Sequence, residues 1–165
     1  MALAAPYPHT IPGAGTPSRP ADTAGRQRTL VHRIAALLLD YPDQDLLARL
    51  PSLRAATVGL DQPVRDLLGR TLDHLARTPA LELAAGHVAA VTAHRHADLP
   101  AASGAYPEHL FLVLERAATT DLHTCTRLLV EHRAELELLY RALTDAGSPY
   151  ADALAAVRAT LPPEA

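Results

Sequence analysis

Nine histidines in a chain of 165 residues invite the hypothesis of a metal site. His94 and His96 stand two positions apart, and His87 lies one heptad before His94. Side chains two apart on a helix face different sides, so this pair is poorly placed to hold one ion. The sequence has neither a His-Glu-x-x-His motif nor a pair of cysteines that would complete a zinc site. We therefore interpret the histidines as a solvated helix end and predict no metal or other cofactor.

Nucleophilic catalysis finds no better support in the sequence. The single cysteine, Cys125, cannot form an internal disulfide, and it falls on an apolar helical stripe, where a buried thiol behaves as a small hydrophobe. No serine stands in a Gly-x-Ser-x-Gly elbow, and no glycine-rich loop follows a predicted strand to hold a phosphate. Paired carboxylates such as Glu135 and Glu137 straddle a helix. The sequence predicts a protein that is not an enzyme.

Two positions combine polar chemistry with an unusual setting. His132 interrupts an otherwise apolar stripe, where a buried imidazole needs a hydrogen-bond partner; a satisfied core histidine is the favoured interpretation. Glu108 and His109 follow Pro107 in the first turn of a predicted helix, where free backbone N–H groups and the helix dipole favour acceptors. These two side chains could cap the helix or meet a polar or basic peptide, and both interpretations stay open.

The elements that must position these residues are predicted to be helices. Ala and Leu dominate the apolar 48% of the chain, whereas aromatic residues make up only 4%. Ala and Leu are the strongest helix formers, and strands favour β-branched and aromatic residues. Apolar residues recur at helical spacing, and prolines mark the turns. The predicted fold class is therefore all-α, an irregular bundle of about seven helices.

The chain divides into a predicted tail and one domain. Residues 1–25 are rich in Pro, Gly and Ala and are expected to be disordered, while residues 26–165 form the helical domain. Pro42 should end the first helix, and Pro51 should separate two short ones. Further helices are expected over 61–77, from 79 to about 91, and from 107, 121 and 149 onward, with a loop over 94–105. The longest should follow Asp121 as one apolar face of about six turns, comprising Leu122, Cys125, Leu129, Leu136, Leu139 and Leu143.

Charge and hydropathy exclude several classes of function. The formal charge of −3 leaves no basic footprint for nucleic acid and no polybasic membrane anchor. It would suit a basic peptide partner, an argument of little weight. The longest apolar run, residues 34–39, is far shorter than the roughly 20 residues that span a bilayer, and the N-terminus does not have the pattern of a secretory signal. We expect a cytoplasmic protein.

Several segments, taken in order, resemble one protein family. The similarity begins with residues 33–43, which read Arg-Ile-Ala-Ala-Leu-Leu-Leu-Asp-Tyr-Pro-Asp, and continues in residues 46–51. It resumes in Pro-Glu-His-Leu at 107–110, with Leu-Glu at 114–115, and then in residues 131–133, 136–139 and 147–151. Together these segments resemble the nitrate reductase molybdenum cofactor assembly chaperones, the NarJ-type delta subunits of the molybdoenzyme chaperone group.

The resemblance implies an all-helical cytoplasmic chaperone of nitrate assimilation that binds unfolded protein. Its partner would be the N-terminal segment of the catalytic (alpha) subunit of respiratory nitrate reductase, kept competent for molybdenum cofactor insertion and enzyme assembly. The peptide would lie in a groove between helices, with apolar anchors and a polar rim. The expected peptide-binding residues are Glu108, His109, Phe111, Glu115 and His132.

The sequence departs from the family pattern in its centre. A helical block that family members carry before the Pro-Asp-His-Leu helix is missing, Glu108 replaces the Asp, and Phe111 replaces a Pro. Arg116 stands where an apolar residue is usual, and an Arg there must snorkel or lie exposed. Removing helices uncovers apolar faces, at roughly 25 cal/mol per Å². The alternative function is therefore a shortened helical interaction protein without chaperone activity that forms a homodimer through those faces.

Overall fold

The structure, a computed structural model, describes residues 20–96, 114–116, 119 and 121–163. Within these ranges the chain forms seven helices and no strand, which confirms the predicted all-α class. Residues 114–116 add one helical turn. The seven helices are α1 (Pro20–Leu39), α2 (Gln44–Thr57), α3 (Gln62–Arg77), α4 (Ala80–His96), α5 (Leu122–Glu131), α6 (Arg133–Asp145) and α7 (Tyr150–Arg158).

The first helix begins earlier than the sequence predicts. α1 starts at Pro20, within the segment expected to be a disordered tail, and residues 1–19 lie outside the described residues. Proline suits a first helical turn because its fixed φ is already helical. Gly25, expected to add flexibility, is instead buried in α1, where an added Cβ would lie 2.9 Å from Leu122 Cδ2. Residues 20–25 therefore belong to the folded domain.

α2 continues through Pro51, which was expected to separate two helices. Its buried residues Leu46, Leu50, Leu53 and Thr57 recur at helical spacing, and α2 packs on α3. Pro51 itself is exposed, so the hydrogen bond that its missing N–H forgoes lies away from the core. Burial of the apolar face outweighs the local penalty of the proline.

α3 follows the sequence pattern, whereas α4 departs from it. Asp61 and Pro63 predict the start of α3, and the helix covers Gln62–Arg77 as expected. α4 extends to His96, into the predicted loop, and the remainder of that loop lies outside the described residues. Leu81 and Val88 of α4 are large apolar residues, and they are 84% and 60% exposed. α4 therefore has an apolar face that no described element covers.

The predicted long helix after Asp121 is two helices, because the chain breaks at His132. Its φ of −101° and ψ of 20° depart from helical values, and α6 restarts with the Leu136 N–H donating to His132 O at 3.0 Å. The apolar face is nevertheless inward on both sides of the break, with Cys125, Leu129, Leu136, Leu139 and Leu143 buried. The break therefore leaves five of the six predicted face residues in the core, and Leu122 is half-buried.

α7 lies at the centre of the bundle. It packs on α1, α3 and α6, and Tyr150, Ala153, Leu154, Ala156 and Val157 are buried. The two alanines are fully inaccessible, and small side chains let neighbouring helices approach closely. Two contacts fix the helix on α3, because Thr71 Oγ1 donates to Pro149 O at 3.0 Å and Arg70 forms a bidentate ion pair with Asp152 at 2.8 Å.

The turn before α7 depends on the backbone conformation of one glycine. Gly147 has a φ of +63°, the left-handed region that favours glycine. The Ser148 N–H donates to Leu143 O at 2.8 Å, and the Gly147 N–H donates to Thr144 O at 2.9 Å. This is the Schellman arrangement, which satisfies carbonyls left open at the end of α6.

One buried polar atom in this core has no hydrogen-bond partner among the described residues. It is the hydroxyl of Tyr150, which is 2% exposed, and burial raises the pKa of Tyr150 to about 12. A buried unsatisfied hydroxyl costs about 1–3 kcal/mol.

We predict that Tyr150→Phe increases the free energy of unfolding by about 1 kcal/mol, measured by urea denaturation. Tyr140→Phe is the control, and a Tyr150→Phe protein less stable than the wild type would contradict the prediction.

Candidate peptide-binding groove

The structure describes two of the five predicted peptide-binding residues, Glu115 and His132. Glu108, His109 and Phe111 lie outside the described residues. Glu115 is exposed on the helical turn at 114–116, as is Arg116 beside it. His132 is half-buried at the break between α5 and α6, with Nδ1 3.9 Å from Glu135 Oε1. The position of His132 corrects the expectation that it fills a gap in a continuous apolar stripe.

An open depression lies beside that break. We call it the α6 groove; it is open to solvent, has a volume of about 900 Å³, and runs between α6 and the end of α7. Ala134 and Leu138 lie one helical turn apart on its floor, next to Val130 and Leu161, which are also accessible. Its lining residues are Val130, Glu131, Arg133, Ala134, Leu136, Glu137, Leu138, Arg141, Arg158 and Leu161.

The rim of the α6 groove is charged and internally paired. Glu137 accepts a hydrogen bond from Arg141 Nε at 3.1 Å and forms an ion pair with Arg158 Nη2 at 2.5 Å. The Arg158 guanidinium also stacks 4.0 Å from the centroid of the Tyr140 ring. Arg133 donates from Nη2 to the carbonyl of Pro162. These contacts hold the charged rim in place around the apolar side chains of Ala134 and Leu138.

Local sequence explains why the groove forms at this place. Arg133, the first residue of α6, follows the break at His132. Its side chain donates a hydrogen bond to the carbonyl of Pro162, in the segment after α7. From Ala134 onward the side of α6 opposite its buried leucines carries Ala134, Leu138 and Arg141 at spacings of four and three. That second face was missed in the sequence because the inward stripe of leucines is stronger. Leu138 gave no separate signal, because it stands directly before the core residue Leu139 in the sequence.

A second polar cluster, buried, was also missed. His32 is 1% exposed, and its two nitrogens contact Cys125 Sγ at 2.9 Å and Thr160 Oγ1 at 2.7 Å. The Thr160 hydroxyl donates to Val157 O at 2.6 Å, so it accepts from His32 Nε2–H. Nδ1 of that tautomer is an acceptor, and the Cys125 thiol donates to it. The directed chain of hydrogen bonds ties α1, α5 and the end of α7 together.

The Cys125–His32 pair is unsuited to nucleophilic catalysis. Burial, with a contribution from the Arg28 charge, lowers the pKa of His32 to about 4. Burial, with a contribution from the Asp121 carboxylate, raises the pKa of the Cys125 thiol to about 11. Both shifts favour the neutral pair over the thiolate and imidazolium that catalytic cysteines need. Cys125 is buried, as predicted, and its thiol is a structural donor.

The other histidines form no metal centre in the described ranges. No group of three or more His, Cys, Asp or Glu residues there is arranged to hold an ion. His87 packs edge-to-face on the rings of Tyr41 and Tyr150, with centroids 5.5 Å and 5.9 Å away. His94 and His96 belong to the last turn of α4. A membrane-spanning helix is likewise not found among the described residues.

His32 is expected to make the fold sensitive to acid. A histidine in the unfolded chain takes up a proton near pH 6.5, whereas His32 stays neutral in the fold down to about pH 4. Between these values the unfolded state binds more protons, so the free energy of unfolding falls as the pH is lowered, by up to about 3 kcal/mol. Urea titrations from pH 7 to 4 would measure this slope.

A variant series isolates the contribution of His32 to that slope. His32→Gln removes the titrating group, so its unfolding free energy should change less with pH between about 6.5 and 4, even where the variant is less stable overall. His123→Gln, which removes an exposed histidine on α5, should keep the wild-type slope. Equal slopes for the wild type and His32→Gln would show that the prediction is wrong.

Comparison with known proteins shows a partial similarity. No protein-family model matches the chain. Two curated proteins, both called nitrate reductase-like protein NarX and from two strains of Mycobacterium tuberculosis, are each 42% identical to it over 64 residues. The match covers 39% of this chain and 10% of each relative, so the chain spans about a tenth of the length of the curated relatives it matches. The similarity thus relates part of this chain to a protein named as nitrate reductase-like.

Proposed function

We propose that this protein is a cytoplasmic assembly chaperone for respiratory nitrate reductase and not an enzyme. It binds the N-terminal segment of the catalytic subunit and keeps that subunit competent to receive its molybdenum cofactor. The client segment lies in the α6 groove as an amphipathic helix. Its apolar side covers Ala134 and Leu138, and its polar side meets the charged rim.

The observation that carries this proposal is a coincidence of two independent features. Residues 131–133 and 136–139 are among the segments that resemble the NarJ-type chaperones, and members of both segments line the α6 groove. The partial similarity to proteins named nitrate reductase-like supports the same client class. The neutral Cys125–His32 pair agrees with a protein that binds its client without chemistry at this thiol.

A second candidate function rests on the uncovered face of α4. Leu81 and Val88 are large, apolar and mostly exposed, and Ala85 lies between them on the same side of the helix. Such a face favours association with another surface. Under this alternative the protein is a self-associating helical module without chaperone activity. Light scattering with and without the client peptide separates the two: a tight dimer that is indifferent to the peptide supports self-association, whereas a monomer that binds it supports the chaperone.

The chaperone proposal predicts saturable binding of a client peptide that depends on the groove. Titration of the protein into a fluorescently labelled peptide from the start of the reductase catalytic subunit should give a rise in anisotropy. Ala134→Gln places a polar side chain on the groove floor without adding charge, and we expect it to weaken binding about tenfold. Gln is a good helix former, so α6 should stay folded.

Ala85→Gln is the matched control, since Ala85 is also an exposed alanine on a helix but lies on α4. It should leave the affinity for the peptide unchanged. Circular dichroism of both variants checks that helix content is retained. If a longer relative with the central block binds the peptide and this protein does not bind it at high micromolar concentration, the proposed function is wrong. Equal losses in the two variants would place the binding site elsewhere.

A further inference from the structure

The α6 groove has a local charge opposite in sign to that of the whole chain. Its lining includes three arginines and two glutamates, a net charge of +1, whereas the chain carries −3. Charges more than about 8 Å apart at the surface are largely screened at physiological salt. A client in the groove is therefore influenced by the rim and not by the distant carboxylates that make the protein acidic overall.

The central glutamate of the rim is not available to a client. Both carboxylate oxygens of Glu137 are occupied, Oε1 by Arg141 and Oε2 by Arg158. Glu131, the other acidic residue of the lining, lies 3.8 Å from Arg127 outside the groove. A basic client would have to displace these arginines from their carboxylates. Both acidic residues of the lining are thus already paired with arginines.

Arg141 is the rim cation best placed to contact a client. Its side chain is 68% exposed, and the hydrogen bond to Glu137 uses only Nε–H. The two terminal NH₂ groups have no partner among the described residues, and a guanidinium presents them as a fork that fits a carboxylate. Arg158, by comparison, is held by both Glu137 and the Tyr140 ring.

From this arrangement we propose that the α6 groove selects clients whose amphipathic helix carries carboxylates along its polar side, and that Arg141 is the residue that pairs with them. The inference rests on the proposed function, because it names the chemistry of the segment that the groove receives. It replaces the expectation, drawn from the net charge alone, that a basic peptide would suit this protein.

Two designed peptides test the charge preference. They share one set of apolar positions and differ in three polar positions, which are Glu in the first peptide and Lys in the second. Calorimetric titration should show the Glu peptide binding about tenfold more tightly, and about 0.5 M salt should remove most of that difference because exposed charges are then screened. Arg141→Gln should weaken the Glu peptide about threefold, the size expected for one exposed ion pair, and leave the Lys peptide unchanged or slightly improved.

Arg77→Gln supplies a matched control. Arg77 is 75% exposed and forms an ion pair with Asp73 four residues before it, as Arg141 does with Glu137, but it lies on α3. The substitution should not change the affinity for either peptide. If both peptides bind equally, or if Arg77→Gln reproduces the effect of Arg141→Gln, the proposed selection is wrong.

The native client peptide, measured beside the designed pair, separates this inference from the proposed function. Binding of the native peptide together with equal binding of the designed pair would overturn the charge selection and retain the chaperone. Preference for the Glu peptide without any binding of the native peptide would retain the selection and overturn the nitrate reductase client.

Discussion

The burial of α7 against three other helices is the constraint on which the remaining structure depends. α7 is only nine residues long, yet it contacts α1, α3 and α6, and Ala153 and Ala156 leave room for those helices to approach. Its first residue, Tyr150, packs edge-to-face against His74 of α3 and His87 of α4. Its last residue, Arg158, supports the rim of the α6 groove. A short helix thus holds α1 and α3 at a fixed distance from α6. The α6 groove forms where the end of α7 lies beside the start of α6.

Local signals in the sequence determine most of the helices, and long-range packing determines where the predictions fail. Asp61 and Pro63 predict the real start of α3 because such a signal depends on residues within one turn. Pro51 and Gly25 mislead for the opposite reason, since each is held in a helix by contacts with distant residues. The break at His132 is of the same kind. The inward stripe predicts the correct core leucines but does not reveal that the helix is interrupted between them.

The candidate site was less predictable than the fold. The interior partners His32 and Cys125 are 93 positions apart, and spacing along a helix gives no information about such a pair. The groove is likewise formed by residues from α6 and from the segment after α7, and Leu138 and Leu161 resemble ordinary core leucines in the sequence. The resemblance to assembly chaperones pointed toward residues 131–139, and only the arrangement of helices shows that this segment faces an open channel. The net charge of the chain gave the least information about the groove, because ion pairs make the local charge there differ from the charge of the whole chain.

The enclosure of the lone thiol has a practical consequence for spectroscopic work on this protein. Because Cys125 is buried and donates to His32, it should react slowly with maleimide or iodoacetamide reagents while the chain stays folded. A cysteine introduced at an accessible position would then carry a fluorophore or spin label against a silent background, without first replacing the native residue. Distances between two such labels on opposite sides of the α6 groove would report how its walls move when a client binds.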